Sequence, residues 1–335
     1  MLLPAERTLF SLGTLIQLKA YGTNGEEAIS WAVDRLHAIN SKMSAFAYNS
    51  ELSRINRSAG NSFVSISPDT YAVIRVAVQY AEYSGGAYDP TIRPLVQLWG
   101  IGSRSQTVPS AQRIRETLAL VNYRDILFDE KSSSVMLRRK GQALDLGGIA
   151  KGYAADEIRD IYRGCRVECG LIDLGGNIYA YGAKPDGSPW QIGIQDPLKP
   201  RGIFLGVLSL SNQSVVTSGG YEKYFNLDGL DGRKMHHILD PQTGYPSDSN
   251  LISVTIVADD SLAGDGWSTG AFILGLPTAL DRISHAAGIE AVFVTETNQI
   301  VMTPQICASF RLTCGEYRLT DPLFNREEPI HARQK

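Results

Sequence analysis

The residues best suited to chemistry lie in the segment DLGGIAKG, at positions 145–152. Its glycines let a ligand approach backbone N–H and C=O groups, and the start of the following helix offers unpaired N–H donors to an anion. Lys151 adds a mobile cation, and Asp145 is placed to accept a hydrogen bond or to support a metal shell. The segment predicts a turn that holds a phosphate-bearing ligand beside a metal ion. The alternative is an ordinary strand-to-helix turn in which Asp145 caps the helix.

A second candidate is the segment GDGWSTG, at positions 264–270. Asp265 and Thr269 are four residues apart, so they share one side of a helix. A carboxylate and a hydroxyl suit Mg2+, which usually takes few protein ligands and completes its shell with water and phosphate. The alternative is an exposed pair on a glycine-containing helix. Three glycines in two turns cost about 1 kcal/mol each relative to alanine, which favours a role in close approach.

The third candidate is KMHHILDPQTGYP, at positions 234–246, which is predicted to be a strand that runs into a turn. In a strand the adjacent His236 and His237 point to opposite faces. An inward imidazole near a phosphate could act as a general base or orient a hydroxyl nucleophile. The alternative is a core histidine hydrogen-bonded to the backbone. A metal site made of both histidines is not expected.

The segment SGGAYDPTIRPLVQLWG, at positions 84–100, is predicted to be a loop stiffened by prolines. Tyr88, Asp89 and Trp99 could together wall an aromatic ligand. The alternative is that Tyr88 and Trp99 simply cover the core.

Apolar spacing and turn residues predict a mixture of helices and hairpin-like strands around these segments. The predicted helices are 25–43, 69–83, one capped by Ser110, one that follows the glycine turn and ends at Gly164, 263–274 and 278–287. The predicted strands are 14–21, 126–128, 134–139, 143–146, 170–174, 191–195, 204–210, 214–218, 236–239, 251–257 and 290–295. This order favours an α+β fold, with mixed, largely antiparallel sheets and packed helices, over a regular βαβ repeat. No linker divides the chain, so we expect one domain over 1–335 with a core of about residues 10–320.

Composition excludes several classes of protein. The chain of 335 residues is 43% hydrophobic and 20% charged, which is typical of a folded globular protein. Its net charge of -3 comes from well-mixed residues without a basic block, so nucleic acid is not an expected partner. No apolar run reaches the length of a membrane span, and no export signal is visible at the start. The four cysteines are expected to be free thiols in a reducing compartment.

Eight segments, in this order, resemble the ApbE family of FAD:protein FMN transferases, from about residue 13 to residue 275. They are SELSRIN, GGAYDPTIRPLVQLWG, LDLGGIAKGYAAD, LGGNIYAYG, WQIGIQDP, TSGGYEKYF, HHILDPQTGYP and DGWSTG. The resemblance implies a single ApbE-like domain that moves FMN from FAD to a Thr or Ser hydroxyl of a target flavoprotein. It also implies that AMP is left and that Mg2+ is required.

The resemblance also implies roles for individual residues. The metal ligands fall on the backbone carbonyl of Gly148 and the side chains of Asp265 and Thr269, and the catalytic histidine falls on His237. The flavin contacts fall on Leu12, Phe46, Ala87, Tyr88, Asp89, Asp145, Lys151 and Leu239.

Three positions depart from the pattern of the family. Leu12 stands where methionine is common, Phe46 where tyrosine is usual and Gly220 where aspartate is frequent. The first two departures keep an apolar wall, and the third removes a carboxylate.

Two other functions remain as alternatives at this point. An FAD pyrophosphatase would use the same site but let water attack, and a flavin-binding protein without turnover would leave FAD intact. The lipoprotein signal of many family members is not visible, which favours a cytoplasmic enzyme, with an exported mature form as the alternative.

Overall fold

The protein is described here by a computed structural model that covers residues 4–103, 106–221, 224–226 and 234–320. The helices are α1 Gly25–Met43, α2 Glu51–Arg57, α3 Pro68–Tyr83, α4 Arg93–Leu98, α5 Ala111–Leu118, α6 Ala150–Gly164, α7 Ser261–Leu274 and α8 Leu276–Ser284. The strands are β1 Ala5–Ser11, β2 Thr14–Tyr21, β3 Val64–Ser65, β4 Ile126–Asp129, β5 Ser134–Leu137, β6 Cys169–Asp173, β7 Asn177–Tyr181, β8 Trp190–Gln195, β9 Phe204–Leu210, β10 Gln213–Gly219, β11 Tyr224–Asn226, β12 Lys234–His236, β13 Leu251–Ala258, β14 Ile289–Thr295, β15 Gln299–Met302, β16 Phe310–Leu312 and β17 Arg318–Thr320.

The largest sheet has nine strands in the order β1-β2-β6-β7-β10-β13-β14-β15-β17. All its neighbours pair antiparallel except β15 and β17, which are parallel. Two small sheets have the orders β16-β9-β8 and β3-β5-β4, and β11 pairs with β12. This arrangement confirms the predicted α+β class with largely antiparallel sheets.

Glycine lets helices α6 and α7 pack closely against each other. A Cβ atom on Gly152 of α6 would lie 2.4 Å from the carbonyl oxygen of Ser261, the first residue of α7. On the other side of α7, a Cβ on Gly264 would lie 2.7 Å from Cγ2 of Val216 in β10. Helix α7 is therefore held between α6 and the large sheet, and the start of α6 is brought against its side.

Several turns lie side by side where neighbouring strands of the large sheet end. Gln17 of β2 pairs with Asp173 at the end of β6, and Val216 of β10 pairs with Asn177 at the start of β7. The turn after β1, the turn after β6 and the end of β10 therefore lie at the same end of these strands. Their packing is close, because a Cβ on Gly175 would lie 2.0 Å from Oγ1 of Thr14.

Three predicted elements are wrong. The loop predicted over residues 87–100 contains α4, which carries Pro94 in its first turn, where a missing N–H costs nothing. The strand predicted at 143–146 is only an isolated bridge between Ala143 and Ile92. The strand predicted at 236–239 ends at His236, and Leu239 forms an isolated bridge with Pro246.

Two smaller observations concern the cysteines and the helices. Cys165, Cys169, Cys307 and Cys314 are free, as the sequence predicts. Within the ranges that the structure describes, no helix combines the length and the apolar character needed to cross a bilayer.

Candidate functional site

The start of α6 meets the side of α7 at Asp265, whose side chain is almost fully buried. The Gly152 N–H donates a 2.7 Å hydrogen bond to Oδ2 of Asp265. Nζ of Lys151 lies 3.8 Å from Oδ1 of the same carboxylate and donates to the carbonyl oxygen of Gly147 at 3.2 Å. The glycine turn and the GDGWSTG helix, far apart in sequence, therefore form one polar site.

Gly148 faces both Thr269 and Tyr88. A Cβ at position 148 would lie 3.4 Å from Oγ1 of Thr269 and 3.1 Å from Cε2 of Tyr88. Oγ1 of Thr269 is also 3.4 Å from Oγ of Ser218, at the end of β10. The structure thus brings Gly148, Asp265 and Thr269 together, although they come from two segments more than a hundred residues apart.

These residues offer oxygen atoms to a hard cation. Among the residues that the structure describes, no group of three or more His, Cys, Asp or Glu side chains could hold a metal. The set formed by the Gly148 carbonyl, Asp265 and Thr269 is of another kind, because it contains a single carboxylate. It fits Mg2+, which takes one or two carboxylates and leaves the rest of its shell to water and substrate phosphates.

The Tyr88 hydroxyl is buried beside this set. Its oxygen has no hydrogen-bond partner within the described part of the chain. Burial raises the pKa of Tyr88 well above its ordinary value, and the nearby carboxylates of Asp145, Asp265 and Asp89 raise it further. The hydroxyl therefore stays protonated and is a donor without an acceptor, which is unusual for a buried group unless a ligand supplies one.

Asp145 closes the turn before α6 and does not cap the helix. Its Oδ1 accepts a 2.9 Å hydrogen bond from the N–H of Gly147, whereas the residue that caps α6 is Ile149, which makes no side-chain cap bond. The other oxygen, Oδ2, accepts a 3.1 Å bond from Nη1 of Arg93. The alternative role as a helix cap is therefore wrong.

Arg93 is the residue of this site that the sequence did not indicate. Its guanidinium carbon lies 4.2 Å from the ring centroid of Phe46, and its side chain is almost fully buried. The available signal was a charged residue inside the apolar run TIRPLV, because a buried arginine needs an ionic partner.

The remaining predicted flavin contacts lie in tightly packed loops. Asp89 is buried and its carboxylate accepts hydrogen bonds from the N–H and hydroxyl of Thr91 and from the N–H of Tyr123. Burial raises the pKa of Asp89, while these hydrogen bonds act in the opposite direction. Its carboxylate therefore fixes the loop that presents Ala87 and Tyr88, both of which are buried.

Leu12 and Leu239 occupy different surroundings. Leu12 has a φ of 50° in the turn between β1 and β2 and packs partly against the core. Leu239 is buried in a small apolar cluster with Leu95, Trp99 and Ile114. Trp99 therefore belongs to the core, in agreement with the alternative interpretation of that residue.

His236 is the inward histidine of the pair. Its Nε2 lies 3.0 Å from the carbonyl oxygen of Ser247, the N–H of Ile238 donates to its Nδ1, and its ring packs edge-on against Phe272 of α7. A Cβ on Gly220 would lie 2.7 Å from this imidazole, so the glycine leaves room for it. His236 is thus a half-buried histidine with backbone partners, and His237, also half-buried, remains the residue predicted to be catalytic.

The contacts of His236 predict a dependence of stability on pH. Burial lowers the pKa of His236 below its ordinary value of 6.5, and this outweighs the contacts with Ser247 and Ile238 and the charge of Asp248, which act in the opposite direction. The unfolded chain takes up the proton first, so we expect this part of the stability to be complete above about pH 6.5 and to be lost as the pH falls. Urea unfolding of the wild type and His236→Gln between pH 7.5 and 5.5 measures it. An equal decline in both proteins would contradict the assignment.

Residues 12–293 match the ApbE family model. The chain belongs to the ApbE family. A relative from Klebsiella pneumoniae (strain 342), named FAD:protein FMN transferase, is 38% identical over 92% of this chain and 95% of its own. A relative of the same name from Treponema pallidum is 32% identical over 84% of this chain and 82% of its own.

Solved structures of ApbE proteins have the same fold. The crystal structure of the ApbE protein from Thermotoga maritima matches with a TM-score of 0.85 at 33% identity, over 92% of this chain and 99% of that one. The flavin transferase ApbE from Vibrio cholerae matches with a TM-score of 0.79 at 26% identity, over 89% and 95%. The comparisons confirm the family, the α+β fold and the transferase class predicted from the sequence.

Proposed function

We propose that this ApbE protein is a Mg2+-dependent FAD:protein FMN transferase. It moves FMN from FAD to a Thr or Ser hydroxyl of an acceptor flavoprotein and releases AMP. The observation that carries this proposal is the meeting of Gly148, Asp265 and Thr269 beside the first turn of α6. A flavin store would not need a cation site next to a place for phosphates, and the names of the curated relatives support transfer over storage.

The polar half of the site suits the pyrophosphate of FAD. The Gly148 carbonyl, Asp265 and Thr269 would hold Mg2+, which when bound neutralises charge that develops as the phosphoanhydride breaks. Lys151 and the first N–H groups of α6 add positive potential where the phosphates would lie. The protein mainly positions the reactants, as is usual in phosphoryl transfer.

The apolar half of the site suits the flavin ring. Phe46 and Tyr88 offer aromatic faces, and Asp145 offers a carboxylate oxygen to a ligand donor. The remaining contacts that we propose are Leu12, Ala87, Asp89, Lys151 and Leu239.

The transfer step requires one bond to form and one to break. The acceptor hydroxyl oxygen bonds to the phosphorus of the FMN half, the bridge to the AMP phosphate breaks, and AMP leaves with the bridging oxygen. The proton of the hydroxyl must be removed, and His237 is proposed to assist. Its neighbour His236 is fixed against Phe272 of α7, the helix that carries Thr269, and this anchors the histidine segment beside the site.

Intact-mass measurement of an acceptor tests the function. We expect a candidate acceptor flavoprotein incubated with the enzyme, FAD and Mg2+ to gain one FMN unit, and an acceptor whose target Thr is replaced by Val to gain none. Free FMN and AMP without any gain, also formed in the absence of acceptor, would identify a pyrophosphatase. FAD that survives long incubation unchanged would identify a binding protein.

A further inference from the structure

Arg93 joins two parts of the site that are distant in sequence. It is the first residue of α4, and its Nη1 donates to Oδ2 of Asp145 at 3.1 Å. The same guanidinium lies over the ring of Phe46 at 4.2 Å, and Nη2 is 3.5 Å from the carbonyl oxygen of Ala45. The buried guanidinium of Arg93 thus contacts both the glycine turn, through Asp145, and Phe46, the aromatic residue proposed to line the flavin site.

Phe46 needs this contact to keep a fixed position. Its side chain is 72% exposed, so the core does not hold it. Its backbone N–H is bonded to Oγ of Ser44, which fixes the chain but not the ring. Contact with a guanidinium that is itself tied to a carboxylate therefore helps to orient the ring, whose Cζ also lies near Gly102, where a Cβ would be 3.7 Å away.

We propose that Arg93 is a positioning residue. It holds Phe46, which lines the flavin site, at a fixed distance from the glycine turn that contains Asp145. This inference rests on the proposed function. Arg93 does not itself touch the reacting atoms. It sets the distance between the place where the flavin ring stacks and the place where the pyrophosphate binds, so that these two parts of FAD meet a preformed site.

Arginine is well suited to make both contacts at once. Its planar guanidinium presents N–H groups at its edge to Asp145 and a face to Phe46, whereas a lysine ammonium is a point charge without a face. Arg93→Lys should therefore keep the ion pair and lose the stacked ring. Arg93→Met loses both but keeps the length of the side chain.

The chain offers a matched control at a distance from the site. Nη1 of Arg75 pairs with Glu130 at 3.2 Å, and its guanidinium lies 5.2 Å from the ring centroid of Phe128. Arg75 of α3, Phe128 of β4 and Glu130, which follows β4, thus repeat the arginine, phenylalanine and carboxylate of the site. Arg75→Met should leave nucleotide binding unchanged.

Dissociation constants for FAD and ADP, measured by titration with Mg2+ present, test the proposal. We expect Arg93→Met and Arg93→Lys to weaken FAD binding by about three- to thirtyfold, the range of a cation–π contact, with little change for ADP, which lacks the flavin. In a Phe46→Leu background, Arg93→Lys should add almost nothing, because the ring that it positions is gone.

Three results would overturn the inference: unchanged FAD affinity in both Arg93 variants, equal losses for FAD and ADP, or the same loss with and without Phe46. Melting temperatures of all variants identify unfolding, and Arg93→Lys provides the result if Arg93→Met does not fold. A wild-type protein that binds FAD but transfers no FMN overturns the proposed function. The FAD and ADP titrations of the Arg93 variants can then still be interpreted. A wild-type protein that binds no FAD overturns both.

Discussion

Replacing Asp265 by asparagine is expected to lower the rate of FMN transfer by at least about a hundredfold and to leave the protein folded. The asparagine oxygen can still accept the hydrogen bond that the Gly152 N–H gives to Asp265. The negative charge proposed to hold Mg2+ between Gly148 and Thr269 is lost. The rate of AMP release with a saturating acceptor measures the effect, and the melting temperature reports on the fold.

Asp260 provides a control for this prediction next to the same helix. It lies immediately before α7, its side chain is 65% exposed, and it pairs with Arg159. Asp260→Asn removes the same charge a short distance away and should change the transfer rate by less than about twofold, because Asp260 pairs with Arg159 and is not one of the proposed metal ligands. A rate for Asp265→Asn close to that of Asp260→Asn would show that Asp265 does not hold the catalytic metal.

Replacing Gly152 by alanine is expected to cause a large loss of stability, about 3 kcal/mol in the free energy of unfolding. The new Cβ would lie 2.4 Å from the carbonyl oxygen of Ser261 and 2.7 Å from Cα of Leu262, which are backbone atoms that cannot rotate away. Helices α6 and α7 must then separate. The same shift moves the glycine turn away from Asp265, so urea unfolding and FAD affinity should both change.

Gly164 is the matched control at the other end of α6. A Cβ there meets no atom within 4 Å. Alanine has the higher helix propensity, so Gly164→Ala should raise the free energy of unfolding by about 0.5 to 1 kcal/mol. A Gly152→Ala protein as stable as the wild type would contradict the close contact between α6 and α7.

Apolar spacing predicted the long helices closely. The helix predicted at 25–43 is α1 with the same bounds, because Ile29, Leu36 and Ile39 repeat at the helical period and are fully buried. The helix after the glycine turn ends at Gly164 as predicted. Gly164 does not adopt the left-handed conformation that glycine often takes at the end of a helix.

The failures have local causes. The prolines of residues 87–100 predict a loop, but Pro94 stands in the first turn of α4, which is the helical position that tolerates proline. The apolar stretch at 143–146 is buried like a strand but pairs only through Ala143. Burial alone therefore did not define secondary structure there.

The two halves of the candidate site could be predicted separately from chemistry, but their meeting could not. The glycine turn indicated phosphate, and the spacing of Asp265 and Thr269 indicated a cation. Only the resemblance to a family implied that they form one site, since local patterns carry no information on long-range packing. Arg93 escaped prediction for the same reason, because its partners Phe46 and Asp145 are each about fifty residues away in sequence.

In the proposed reaction, the site formed by Gly148, Asp265 and Thr269 transfers FMN from FAD to a protein hydroxyl with the help of a divalent cation. The decisive experiment measures, in one reaction mixture, the mass of the acceptor and the amount of AMP, first after complete chelation and then with Mg2+ restored. We expect neither product under chelation, and with Mg2+ one AMP for each FMN unit gained by the acceptor. Equal transfer with and without Mg2+, or AMP that forms while the acceptor mass stays unchanged, would contradict the claim.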